Sequence, residues 1–260
     1  MLDEIQYLLG AVSGVMVGFT LGLVGGGGSI LAVPLMVYLV GVKSPHLAIG
    51  TSALAVAANA LAGLFNHARA GNVNWRCGIS FALAGVLGAL AGSSLGKAFD
   101  GEKLLFLFAL LMLIVAYLMY RGRADEGIEG VKCNRENLPR VVVFGSGTGL
   151  LSGFFGIGGG FLIVPALVAS TAMPIYRAVG TSLIAVAAFG FTTATSYALS
   201  GLLDWSLAAS FIAGGVAGTA LGAMAARRLS ASRGALNTMF SALIVLVAIY
   251  MLYRTASAFA

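Results

Sequence analysis

The chain has 260 residues, 59% of them hydrophobic and only 9% charged, with a formal net charge of +6 and a mean hydropathy of +0.98. A soluble domain devotes about a quarter of its residues to charge, so this composition cannot cover a water-facing surface and excludes a soluble globular protein. The basic excess does not point to nucleic acid, because most basic residues fall in short stretches between apolar runs, where they act as a topology signal.

Taken in chain order, the first half predicts five helical elements at residues 5–24, 29–42, 45–69, 76–98 and 103–121. Asp3 and Glu4 stand where a cleavable signal would carry basic residues, so no such signal is expected. Four of the elements reach the roughly 20 apolar residues that span a bilayer. The second is too short, about 20 Å of helix, and reads as the return half of a hairpin that turns at the glycines before it. A polar linker at 122–138 follows. Residues 1–121 and 139–260 are then two transmembrane repeats.

The repeats are visible residue by residue. Gly14, Gly18, Gly22, Gly25, Gly27, Gly28 and Pro34 match Gly145, Gly149, Gly153, Gly156, Gly158, Gly159 and Pro165 at an offset of 131. At an offset of 130, Gly50-Thr51-Ser52 matches Gly180-Thr181-Ser182, Gly71 and Trp75 match Gly201 and Trp205, and Gly88 and Gly92 match Gly218 and Gly222. One residue is therefore lost between the two blocks. With five elements per repeat, the second copy is inverted. The 15 basic residues then divide 11 to 4, with the larger share beside the linker. A parallel arrangement divides them 8 to 7. The positive-inside rule favours the inverted form, with the linker cytoplasmic and both termini outside. Cys77 and Cys133 then face the cytoplasm and are read as reduced, structural thiols, with no metal-ligand spacing.

The chemistry-bearing residues follow the same duplication. The clusters Gly25-Gly26-Gly27-Gly28-Ser29 and Gly156-Ile157-Gly158-Gly159-Gly160 each precede a proline, Pro34 and Pro165, and open a short helix. Consecutive glycines let several backbone N–H groups converge on one anion, and the following helix adds its positive end. Irregular backbone at membrane depth is tolerated only where protein or a polar cavity covers it, and paired breaks mark a transporter site. The Gly-x3-Gly stripes are read instead as close helix packing. Thr51, Ser52, Thr181 and Ser182 can donate to an oxyanion or bond back to their own helices, the usual fate of such hydroxyls. Asn59 shares a helix face with Ser52 and Asn66; it either glues helices or lines a polar path. Its counterpart is Phe189. His46 and His67 lie near loops and read as solvated surface, and Trp75 and Trp205 as interface anchors. No charged residue lies clearly within a span, whereas a cation path would want carboxylates.

At these glycine-to-proline and Gly-Thr-Ser segments the chain resembles the sulfite exporter TauE/SafE family, also called the 4-toluene sulfonate uptake permease family. The resemblance implies an all-α polytopic protein of the inner membrane that moves sulfite or a related sulfur-containing anion, often outward. The expected site comprises the glycines of both clusters with Ser29, Thr51, Ser52, Asn59, Thr181 and Ser182, between the repeats. No cofactor, metal, catalytic residue or nucleic-acid partner is expected. The bilayer and a small sulfur-containing anion are the partners, and self-association is left open. An anion channel with a glycine-lined filter is the alternative. A serine hydrolase is disfavoured because no Gly-x-Ser-x-Gly elbow surrounds Ser29.

Overall fold

The computed structural model describes residues 3–121, 133, 136–156, 160–228 and 233–256. Among the described residues all the regular structure is helical. Helix α1 is Glu4–Val24. It runs without interruption into tight 3-10 turns at Gly25–Leu31, a three-residue α segment at Ala32–Pro34 and a π-helical turn at Leu35–Leu39, here called α2 together. Then come α3 Pro45–Arg69, α4 Trp75–Ala98 and α5 Gly101–Arg121. The second half repeats the order as α6 Leu138–Phe155, α7 Gly160–Thr171, α8 Ile175–Ala198, α9 Trp205–Arg228 and α10 Arg233–Thr255. Seven of these helices are long and apolar enough to cross a membrane. At 12 residues, α7 is not.

The repeat extends to backbone detail. Gly41 and Ala172, equivalent at the offset of 131, both have left-handed φ, of 79° and 58°. Gly71 and Gly201, equivalent at 130, have φ of 71° and 70°. The missing residue is located between these pairs: three residues, 42–44, separate Gly41 from α3, and two, 173–174, separate Ala172 from α8.

Helices cross between the repeats rather than packing within them. The Gly10, Gly14, Gly18 and Gly22 face of α1 lies on α9, where a Cβ at each would meet Leu207, Phe211, Gly215 and Thr219 in turn. The equivalent α4 and α6 pack through Gly85, Gly88, Gly92, Gly96, Gly145, Gly149 and Gly153. At Gly18 and Gly149 the neighbour is the backbone of Gly215 and Gly85, so the chains touch main chain to main chain. The stripes are packing surfaces, as their spacing suggested. Outside them, Leu83 and Leu87 of α4 are 69% and 73% exposed, which is an apolar surface suited to lipid.

Helices α3 and α8 form the buried centre. Gly50 meets Tyr197, Gly190 meets Ala53 and Ala57, and Gly63 meets Leu183. The contacts run in opposite order, so these equivalent helices are antiparallel. Helix α9 runs parallel to α3, with Gly50 near Leu202, Asn59 at Gly215 and Gly63 near Thr219.

The structure corrects the reading of the cysteines. Cys77 and Cys133 form a disulfide with Cα atoms 5.3 Å apart, and among the described residues no cysteine is free. Cys133 is thereby held at the first turn of α4, and both residues are buried. A separation of 56 residues across two helices left no spacing rule to announce it.

Replacing Gly18 by Val places branched carbons on the α9 main chain, which cannot move aside as a side chain can. Overpacking of this kind costs about 1–3 kcal/mol or more. We expect a lower unfolding temperature in detergent and less folded protein. Gly147→Ala, at a position where an added Cβ meets nothing within 4 Å, should leave both unchanged.

Candidate functional site

The site is built on the centre of the molecule, where α3 and α8 carry the two Gly-Thr-Ser elements. Thr51 reaches across the repeat boundary, and its Oγ1 accepts a hydrogen bond from the backbone N–H of Asp204 at 3.0 Å. Thr181 does the same for Asn74 at 2.9 Å. Asn74 and Asp204 in turn cap α4 and α9 by accepting from Cys77 N–H and Leu207 N–H. Each threonine thus fastens the helix start of the opposite repeat. Ser52 and Ser182 donate back to Ile49 O and Val179 O, at 3.1 and 2.7 Å. The duplicated hydroxyls therefore all have structural partners, and all four residues are fully buried.

The glycine clusters differ between the copies. In the first, α1 does not open; its chain tightens into 3-10 turns through Gly25, Gly26 and Gly27. It folds back so that a Cβ at Gly28 would strike Thr20 and Leu21 of α1. The chain reverses at this point, as a hairpin requires. In the second, α6 stops at Gly156, whose φ of 68° is left-handed and whose N–H donates to Ser152 O at 2.9 Å. Gly158 and Gly159 lie outside the described residues, and Gly160 opens α7. A Cβ at Gly156 would collide with Ile49, the residue immediately before Gly50-Thr51-Ser52. The second cluster therefore abuts the Gly-Thr-Ser element of the first repeat. The 3-10 turns of α2 also pack against α7 and α8. Ser29 is wholly buried.

Asn59 gives the centre its asymmetry. It fills a notch at Gly215, and its counterpart Phe189 fills the equivalent notch at Gly85. Phe189 stacks on Phe81 with ring centroids 6.4 Å apart, so that half is apolar. Asn59 is fully buried, and neither its Nδ2 nor its Oδ1 has a hydrogen-bond partner. A buried unpaired amide is costly and calls for an explanation.

Sequence reasoning missed Ser13 and Ser152, whose buried hydroxyls have no partner; nor has that of Thr193, near the polar face of α8. The counterparts of Ser13 and Ser152, Phe144 and Leu21, lack a hydroxyl, so a search for duplicated motifs passes over them. The histidines are also corrected. His46 is partly buried, with Nε2 3.1 Å from Phe99 O and its ring 6.3 Å from that of Tyr197. His67 is half-buried beside Gly180. Close packing of α3 on α8 draws both rings inward. Among the described residues no three potential ligands group as a metal site.

A bundle of membrane-length helices from two interlocked repeats, with short glycine-flanked helices folded onto a buried polar centre, defines a polytopic membrane transporter. The sequence pattern of the sulfite exporter TauE/SafE family matches residues 10–251, and the chain belongs to that family. A "Probable membrane transporter protein" of Xylella fastidiosa is 52% identical over 94% of both chains. One of Methanocaldococcus jannaschii is 31% identical over 69% of both. One of Bacillus subtilis is 26% identical over 86% of this chain and 90% of that protein. No solved structure matches.

Two substitutions distinguish a scaffold hydroxyl from the unpaired amide. Thr51→Val leaves the Asp204 N–H without its acceptor and should cost about 1–3 kcal/mol, read as a lower unfolding temperature. Asn59→Leu removes an unpaired amide. It should leave that temperature unchanged or raised, while substrate flux in vesicles falls.

Proposed function

We propose that this protein carries a small sulfur-containing anion of the sulfite type across the inner membrane, outward, by alternating access to one site between inverted repeats. Asn59 carries this reading: its buried, unpaired amide lies at the centre of the bundle, where a small ligand would supply the missing bonds. The antiparallel run of α3 and α8, and the exchange of helix-start contacts by Thr51 and Thr181, support the inversion. The glycine clusters would add backbone donors, including those of Gly158 and Gly159, with Ser29 beside them. The Gly-Thr-Ser residues would act mainly as the frame that holds both halves in register. Burial of Ser29, Thr51, Ser52, Asn59, Thr181 and Ser182 fits an occluded state of such a carrier. The family description names sulfite, and neutral donors grip an anion without a fixed charge that would slow its release. An inside-negative potential drives each negative charge outward by about 2.3 kcal/mol per 100 mV, so export needs no second ion.

The orientation rests on the 11-to-4 division of basic residues, which favours a cytoplasmic linker. The Cys77–Cys133 disulfide bears on the same question, since cytosolic thiols are kept reduced. In intact cells an external protease should leave the linker uncut; cleavage in the linker would place it outside.

The transport reading is tested by sulfite flux into proteoliposomes under an imposed potential, with thiosulfate, a sulfonate, sulfate and chloride as competitors. We expect saturable flux that follows the potential and persists without sodium or proton gradients. Flux that never saturates and shows no counter-exchange would identify a channel. No anion flux from folded protein would overturn the reading.

A further inference from the structure

Away from the central site, the end of the bundle where α3 begins and α8 ends gathers three polar side chains. Tyr197 is fully buried, and its hydroxyl has no hydrogen-bond partner. His46, in the first turn of α3, has its ring 6.3 Å from the Tyr197 ring and a buried Nδ1 that likewise has no partner. The Lys97 ammonium lies 5.8 Å from the centre of the Tyr197 ring and donates to Ser196 O and Ser200 Oγ, both at 2.9 Å. An ammonium has three donors, so one remains. Buried polar groups without partners are rare in native structures, and here two of them share a contact.

Their polarities can be assigned. His46 Nε2 sits 3.1 Å from the carbonyl oxygen of Phe99, which can only accept, so Nε2 carries a proton and, in the neutral tautomer, Nδ1 is left as an acceptor. Tyr197 and Lys97 supply donors. One acceptor beside two donors and a positive charge complements an oxyanion that still bears one proton.

The duplication places histidine and tyrosine at the equivalent positions with the residue types exchanged. At the offset of 130, His46 corresponds to Tyr176 and Tyr197 to His67. Gly50 packs on Tyr197 and Leu202 O, and Gly180 on His67 and Asn72 O, equivalent contacts at opposite ends of the α3–α8 pair. The two histidines of the chain thus each stand opposite a position that holds a tyrosine in the other half.

We propose that His46, Tyr197 and Lys97 form a second anion site at this mouth, selective for a monoprotonated oxyanion of the hydrogen sulfite type, which an anion occupies on its way to or from the central site. The passage role rests on the transport reading above; the site itself does not. A lipid phosphate offers similar chemistry, and the test separates the two.

Crystals of the intact protein soaked in selenite, which at neutral pH is mainly singly protonated, or in selenate, which is not protonated, would locate the anion by selenium anomalous scattering. We expect a selenite peak between His46 and Tyr197, a much weaker selenate peak, and no peak in Tyr197→Phe/Lys97→Met. Equal peaks for both ions, no peak, or lipid phosphate density there would overturn the proposal. In oriented proteoliposomes the same variant, which removes two donors, should raise the KM for sulfite at least about fivefold, the equivalent of one hydrogen bond, only from the mouth at the start of α3. An equal rise from both sides, or none, would also overturn it. Selenite bound at this mouth by a protein that carries no anion would remove the transport reading and leave this site standing.

Discussion

Helices in a bilayer gain little by hiding apolar surface from one another, because lipid tails serve as well. What holds this bundle is close approach. The glycine faces of α1 on α9, and of α4 on α6, bring main chain against main chain, where dispersion contacts are dense. Every other feature depends on that contact. It sets the spacing of α3 and α8 at the centre, brings Thr51 and Thr181 within reach of the opposite repeat, and leaves the notches at Gly85 and Gly215 that Phe189 and Asn59 fill.

Much of this was legible before any coordinates. The ten elements fall within a few residues of their expected positions, because apolar length and glycine or proline punctuation locate membrane helices directly. The packing role of the Gly-x3-Gly stripes was equally plain. The behaviour of the consecutive glycines was only half legible. The turn-back was expected, but composition cannot separate an open helix start from the continuous 3-10 turns that the first copy adopts. That choice depends on whether Gly28 can lie against Thr20 and Leu21, a tertiary matter.

Side-chain partnerships were harder to read. The Gly-Thr-Ser hydroxyls invited a ligand-binding role. The two threonines instead cap main-chain N–H groups more than 100 residues away, a pairing that exists only once the repeats interlock. The disulfide was hidden for the same reason. The buried hydroxyls of Ser13 and Ser152 escaped because their counterparts Phe144 and Leu21 carry none, so the duplication does not mark them. Asn59 opposite Phe189 breaks the symmetry in the same way. The exchange of His and Tyr between halves was present in the alignment of the repeats, and it acquired meaning only when Gly50 and Gly180 placed those side chains at opposite ends of one helix pair.

The crossing of α1 with α9 and of α4 with α6 also bears on how the protein is made. When the ribosome has finished the first half, α1 still lacks its partner, which lies almost 200 residues further along. Its glycine face must wait in lipid until α9 is inserted. Neither half is then a folding unit, and assembly is concerted at the end of synthesis. A single ancestral repeat would have met the same requirement by pairing with a copy of itself, so gene fusion would have converted an obligate dimer into one chain. Once fused, the halves could diverge, as Asn59 and Phe189 have.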